Sequence, residues 1–227
     1  PTTNMASTDT IKLIYFNGRG VIEPTRMMLA IAGVQYEDFR YPIDPVTFAR
    51  PEFDDAKATG KLSLNMDRLP LLEVNGAQIG QSKTIDRFVA KKFGFMGSSD
   101  VEAAQIDMIC EHCVDVKKGY GDARSGKKDD ELAAAKTEFL TVKLKDLAIK
   151  IEKCLALIDN SADGFAIGSK ISLADIRLYD LFADFFDDKD ACNAAVAGSG
   201  GPRLGSSIEA ARTATAAWIE SRPKTAI

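Results

Sequence analysis

Tyr15 ends a short apolar run, Ile11–Phe16, just before the chain-breaking stretch Asn17-Gly18-Arg19-Gly20. Open α/β sheets present ligand sites at the ends of their strands, and a phenol placed there can donate or accept a hydrogen bond. A half-buried strand tyrosine is the structural alternative. Ser82 heads an apparent helix, where its hydroxyl, its N–H and the helix dipole suit a carboxylate. It can equally be a plain N-cap, and both roles can hold at once. Cys110-x-x-Cys113 has the spacing of a redox or zinc pair. However, it falls inside an apparent helix, Val101–Lys118, with no second Cys or His pair, and His112 is the only histidine. A structural role is expected for both thiols.

These side chains need elements to position them. Ile11–Phe16 reads as a strand and Glu23–Ala32 as a helix with Pro24 in its first turn and Gly33 closing it. Tyr36–Tyr41 is a second strand. A long polar stretch then runs to Arg68, longer than a typical connection and therefore mobile or functional. Leu69–Val74 and Ala77–Gly80 flank Asn75-Gly76, a strong hairpin signal. Ser82–Phe93 repeats its apolar residues at threes and fours, as a helix does. The order β-α-β then β-β-α predicts a small sheet with helices packed on it. Gly94–Asp100 reads as a linker, with residues 95–100 as its body. Helical patterning follows at Val101–Lys118, Glu131–Asp159, Ser172–Phe186 and Ser207–Glu220, while Ala194–Gly201 reads as a poorly ordered loop. Ser172-x-x-Asp175 resembles a capping box, with Ile171 and Ile176 as its hydrophobic staple.

The composition is that of an ordinary globular protein, 45% apolar and 27% charged with a net charge of −4 over 227 residues. That balance gives no electrostatic footprint for nucleic acid or an anionic membrane. No apolar stretch approaches the roughly 18–20 residues that span a bilayer. Four irregularly spaced cysteines do not make a disulfide framework. The first ten residues are polar, so no signal peptide is read there. Residues 1–10 are expected to be a disordered or extraneous tail, with Met5 as a plausible native start, and a cytoplasmic location is expected.

Several motifs, in order, resemble those of the cytosolic glutathione transferases of the tyrosine type. Tyr15-Phe16-Asn17-Gly18-Arg19-Gly20 with Glu23 and Arg26 is similar to the family's opening, and Leu69-Pro70 to its L-P strand. Gln81-Ser82 matches its Q-S pair. Ile167-Gly168-x-x-x-Ser172-Leu173-Ala174-Asp175 resembles its helix start. Trp218-Ile219-x-x-Arg222-Pro223-x-Thr225 looks like the C-terminus of the sigma class, which includes prostaglandin D synthases. The resemblance covers residues 11–227. It implies a thioredoxin-like α/β domain at 11–94 and an all-helical bundle at 101–227 carrying an electrophile pocket. It also implies a homodimer without nucleic-acid or membrane partners, a role in detoxification, and glutathione as co-substrate.

Residue by residue, the resemblance implies that Tyr15 activates the thiol, with Arg19 adding positive potential. A thiol with a pKa near 8.5 is only a few per cent thiolate at pH 7. Lowering it by about two units needs roughly 2.7 kcal/mol, and one hydrogen bond to a charged group supplies about 1.5–3 kcal/mol. Leu69 would pair its main chain with the cysteinyl unit beside a cis Pro70, while Gln81 and Ser82 hold the γ-glutamyl end. For the glycine carboxylate the sigma class uses W-x-x-x-K, and this chain offers Phe53-x-x-x-Lys57. Phenylalanine has no N–H to donate, so Lys57 is the first choice, with Lys61 and Arg68 as substitutes. Asp115, reaching across from the partner subunit, would meet the γ-glutamyl amine, and Glu111 lies one turn earlier on the same face. Val114 replaces a carboxylate of the metal-binding relatives, so no metal is expected. Phe16, Met108 and Tyr120 are expected to line the electrophile pocket. Conjugation of glutathione to apolar electrophiles is the leading expectation. A prostaglandin-type isomerase and a non-catalytic, crystallin-like protein are the alternatives.

Overall fold

The change of hydrophobic period along the chain becomes two compact units in the computed structural model, which describes residues 9–158 and 164–225. The first unit runs to Phe93 and takes back the chain from Thr215 onward; the second is Gly94–Ala214. Most of the expected N-terminal tail lies outside the described residues. Asp9 and Thr10 are tied down, because Asn75 accepts from the Thr10 N–H at 2.9 Å and donates to Asp9 at 2.6 Å, and Lys92 pairs with Asp9.

In the first unit, β1 (Ile11–Phe16), β2 (Glu37–Tyr41), β3 (Leu71–Val74) and β4 (Ala77–Gly80) form one sheet in the order β2-β1-β3-β4. β1 runs parallel to β2 and antiparallel to β3, which pairs antiparallel with β4. Asn75 and Gly76 turn the β3–β4 hairpin at φ 52° and 84°, the pair of positive angles that a tight two-residue turn requires. Alternate residues point to opposite faces. On one face Ile14, Tyr41 and Leu71 join Phe53, Ala56 and Leu62 in an apolar cluster. Leu13 and Leu72, facing the other way, are also fully buried. Helices α1 (Glu23–Ile31) and α3 (Ser82–Phe93) pack on each other, and α3 also contacts β3.

The polar stretch before Arg68 contains a helix that the sequence reading missed, α2 (Pro51–Ala58), and a 3-10 turn at Ser63–Asn65. Pro51 occupies the first turn, where its missing N–H costs nothing. Only Phe53 and Ala56 of α2 are buried, so its apolar period is too short to stand out.

The second unit is helical among its described residues. It comprises α4 (Asp100–Arg124), α5 (Asp129–Glu138), α6 (Leu144–Leu157), α7 (Leu173–Tyr179), α8 (Lys189–Ala197) and the start of α9 (Arg203–Ser221). π-Helical turns at Phe139–Lys143 and Asp180–Phe185 interrupt what reads in sequence as unbroken helix. The α8 helix corrects the expectation of poor order for 194–197, whereas 198–202 is a loop leading into α9. Asp188 caps α8 by accepting from the Ala191 N–H at 2.9 Å, and only Cys192 and Ala195 of the helix are buried. The 95–100 segment is anchored rather than slack. Phe95 is buried, and its carbonyl accepts from the Leu173 N–H at 2.9 Å. The Ser172–Asp175 capping box is present, with Asp175 accepting from the Ser172 N–H at 2.9 Å. No helix among the described residues is long and apolar enough to cross a membrane.

Candidate functional site

Tyr15 sits one residue before the end of β1, where the chain leaves the sheet through a tight turn. The Asn17 N–H donates to the Tyr41 carbonyl at 2.8 Å and the Gly18 N–H to the Phe16 carbonyl at 2.7 Å. Arg26, fully buried on α1, donates to the Gly18 carbonyl at 2.6 Å and pairs with Glu23 at 3.5 Å and Asp38 at 3.2 Å. A fixed guanidinium therefore holds the turn against β1. Gly20, at φ 51°, packs so closely on the phenol that a Cβ would lie 2.5 Å from its hydroxyl oxygen. A side chain at this position would be strained and would also displace the hydroxyl.

Burial pushes the Tyr15 phenol above its ordinary pKa of 10.0, partly offset by the Val21 N–H donating to its oxygen and by the Arg26 charge. The phenol therefore stays protonated through neutral pH. With the oxygen already accepting from Val21, its own proton is left to donate. Arg19 is half-buried at the entry to the 3-10 turn Gly20–Ile22.

The second part of the candidate site lies where β3 begins and β4 ends. The Leu69–Pro70 bond is cis. Leu69 packs against the apolar cluster, and Pro70 is buried. Gln81, exposed at φ 67°, leads into Ser82, the first residue of α3. A left-handed backbone at a non-glycine residue is uncommon and needs support from its surroundings. That support includes Asn65, which the sequence reading missed. Its buried side chain accepts from the Gln81 N–H at 3.2 Å and donates to the Arg68 and Pro70 carbonyls, both at 3.0 Å. An asparagine within a polar loop carries no sequence signal for this role.

The residues expected at the glycine end divide. Phe53 is spent on the core, with its ring 4.9 Å from Phe16 and 6.1 Å from Tyr41. Phe16 packs against the same cluster. Lys57 is exposed on α2, and Arg68 is exposed with its guanidinium 3.8 Å from the Met66 sulfur. Lys61 instead borders a cleft of about 370 Å³ over the sheet face, lined also by Lys12, Tyr41, Leu71, Glu73 and Gln78. A further cation, Arg50, lies 5.0 Å from the Phe53 ring centre and 5.8 Å from that of Phe16.

The remaining candidates lie in the second unit, on α4. Met108 is 39% exposed, Asp115 is exposed and Glu111 is half-buried one turn before it. Tyr120 belongs to an aromatic cluster, 5.1 Å from both Phe139 and Phe186, with the Arg124 guanidinium 4.0 Å from its ring centre. Cys110 and Cys113 are buried thiols without a disulfide, and burial pushes Cys113 up to about 12. Among the described residues, no group of three His, Cys, Asp or Glu side chains could hold a metal ion.

The C-terminal motif also gains a physical role. Within the first unit, the Trp218 indole N–H and the Arg222 guanidinium both donate to Glu23 Oε1 at 2.8 Å. Glu23 is 1% exposed and also pairs with Arg26, so the tail helps to neutralise a buried carboxylate next to the Tyr15 turn.

Comparison with known proteins shows the family. Residues 11–91 match the family described as glutathione S-transferase, N-terminal domain, and residues 114–222 match glutathione S-transferase, C-terminal domain. Glutathione S-transferase 4 of Caenorhabditis elegans is 32% identical over 173 residues, 74% of this chain and 77% of that protein. S-crystallin SL11 of Nototodarus sloanii is 33% identical over 172 residues, 74% and 76% of the two chains. The solved structure of monomeric Na-GST-3, a glutathione S-transferase from the hookworm Necator americanus, has a TM-score of 0.72 and 30% identity, covering 95% of this chain and 98% of that one. Matched proteins carry alpha, mu and sigma class names, so the likeness extends to the family and to no single class.

Proposed function

The chain belongs to the glutathione S-transferase family of enzymes, which use glutathione as co-substrate, and on that premise we propose that it conjugates the glutathione thiolate to apolar electrophiles with Tyr15 as the thiol activator. The observation that carries the proposal is the placement of the Tyr15 hydroxyl at the end of β1, closely packed by Gly20 in a turn that Arg26 holds. The phenol is neutral at pH 7, as an ordinary tyrosine is, and burial pushes its pKa further up. A neutral phenol donates one hydrogen bond to a sulfur anion more readily than to a thiol, and charge-assisted bonds are about twice as strong as neutral ones. The pKa of the bound thiol falls accordingly. Thiolate then attacks an electrophilic carbon, the carbon–sulfur bond forms, and a leaving group such as halide departs.

Arg26, through the Gly18 carbonyl, keeps the Tyr15 turn in place. In this reading Leu69 offers its main chain to the cysteinyl unit, and Gln81 and Ser82 hold the γ-glutamyl carboxylate at the start of α3. Lys57 and Arg68 are the proposed cations for the glycine carboxylate. Met108, exposed on α4, is proposed to meet the electrophile. A homodimer in which Asp115 serves the neighbouring subunit's glutathione completes the proposal. Because one relative is described as monomeric, sedimentation must test this separately. The sigma class, supported by the Trp218–Thr225 motif, is proposed as the finer assignment.

The direct test is turnover of a chromogenic halobenzene with glutathione, together with calorimetric binding of glutathione alone. Saturable binding and conjugate formation support the reading. A folded protein that neither binds glutathione nor forms conjugate refutes it.

A further inference from the structure

The strands β3 and β4 are paired as far as Leu71 and Gly80, and the chain beyond that pair carries the two proposed glutathione-holding segments, Leu69–Pro70 and Gln81–Ser82. At the end of a ladder the next N–H and C=O lose their strand partners and need others. One side-chain amide takes over here. Asn65 Nδ2 donates to the Pro70 carbonyl, its Oδ1 accepts from the Gln81 N–H, and its second amide proton goes to the Arg68 carbonyl. The amide thus bridges the two segments one residue past the last strand pair. It is 4% exposed and lies flat against the Gly80 backbone, where a Cβ would sit 2.5 Å from Oδ1 and 2.6 Å from Cγ.

From this geometry we infer that Asn65 is a positioning residue for glutathione, setting the separation between the Leu69 main chain and Gln81 without touching the reacting sulfur. The inference rests on the glutathione site proposed above. A ligand held at both segments is sensitive to their spacing, because a shift of about 1 Å is enough to degrade a positioned contact. The sulfur is handled by Tyr15 on β1, a separate element. Loss of Asn65 should therefore weaken binding of the tripeptide and leave thiol ionisation unchanged. The open side of Gly80 follows from the same contact. Its φ lies outside the left-handed region, and the three atoms nearest to a Cβ there all belong to Asn65.

The test uses the full chain and four proteins: wild type, Asn65→Ala, Gly80→Ala, and the double variant. Glutathione binding is measured by calorimetry, together with KM for glutathione, KM for a halobenzene, kcat, and the apparent pKa of the bound thiol. Two or three lost hydrogen bonds correspond to a rise of about 10- to 100-fold in Kd and KM for glutathione in Asn65→Ala. KM for the halide and the thiol pKa should stay within a factor of two and 0.3 unit, on the order of measurement error. Gly80→Ala should weaken glutathione binding in the same way. The double variant should lose less than the sum of the two single losses, because Oδ1 and Cγ of residue 65 are gone and only its Cβ, 2.8 Å from the new methyl, still has to shift.

Unchanged glutathione affinity in both single variants overturns the inference. So does a fall in kcat with KM unchanged, or a double variant whose losses add. If Asn65→Ala does not fold, Gly80→Ala still decides, and unchanged glutathione affinity in that variant alone overturns the inference. Wild-type protein that fails to bind glutathione would instead sink the site reading itself, which separates the two failures.

Discussion

Asp175→Ala should destabilise the second unit by about 3–7 kcal/mol, the sum of a lost helix cap and two buried backbone donors left without an acceptor. Asp175 is 0% exposed and accepts four hydrogen bonds: from the Ala166 N–H at 2.7 Å, the Ser172 N–H at 2.9 Å, and the hydroxyls of Ser172 and Ser207, both at 2.7 Å. Those partners come from the loop before α7, the cap of α7 and the first half of α9, so a single carboxylate ties three segments together. Its removal costs the helix cap, about 1 kcal/mol. It also leaves the Ala166 and Ser172 backbone donors buried without an acceptor, at about 1–3 kcal/mol each. The two hydroxyls can rotate to other acceptors and add little. Asp175→Asn keeps one acceptor oxygen and should lose roughly half as much.

The assay is urea or thermal unfolding followed by circular dichroism. At about 2–4 °C per kcal/mol for a domain of this size, Asp175→Ala should lower the midpoint by on the order of 10 °C. A loss below about 1 kcal/mol, or an Asp175→Asn variant worse than Asp175→Ala, would refute the reasoning that unsatisfied donors dominate.

Three further outcomes follow from the same structure. Tyr15→Phe should raise the apparent pKa of the bound thiol by about 1–2 units, the equivalent of one hydrogen bond to an anion. In a pH–rate series its kcat/KM should fall about 10- to 100-fold near pH 6.5 and converge on wild type above the free thiol's pKa of about 8.5; parallel profiles would exclude this role. Gly20→Ala should lower activity beyond its backbone cost of about 1 kcal/mol, because its Cβ meets the Tyr15 hydroxyl; a variant with wild-type kcat would show that the hydroxyl tolerates displacement. In native protein at pH 8 a disulfide reagent should titrate Cys154 first, since Cys110, Cys113 and Cys192 are buried and burial pushes Cys113 to about 12 and Cys192 to about 11; all four should react in denaturant.

By itself the sequence determined the elements whose signals are local. The β1 run, the Asn75-Gly76 turn, the Ser172–Asp175 box and the long apolar periods each follow from a few adjacent residues, and each is present in the fold. Helices α2 and α8 escaped because each buries only two residues, spaced three apart, which no periodicity argument can detect. The α4 helix ran past its expected end at Lys118, through Gly119 and Gly121, where the packing of Tyr120 among phenylalanines accompanies two unfavourable glycines. Tyr15 could be named from its place in a motif. That Gly20 packs against its hydroxyl, in a turn held by Arg26, is decided by the fold. Phe53 and Lys57 fall in one motif along the chain, and folding sends the first into the core and leaves the second exposed. Asn65 was invisible although its partners lie only 3 to 16 residues away, because an asparagine in a polar loop has no pattern to mark it. The Glu23–Trp218–Arg222 cluster was invisible because its members lie 195 and 199 residues apart. Long-range polar contacts of this kind form only once apolar burial has brought the segments together, so only the tertiary structure could decide them.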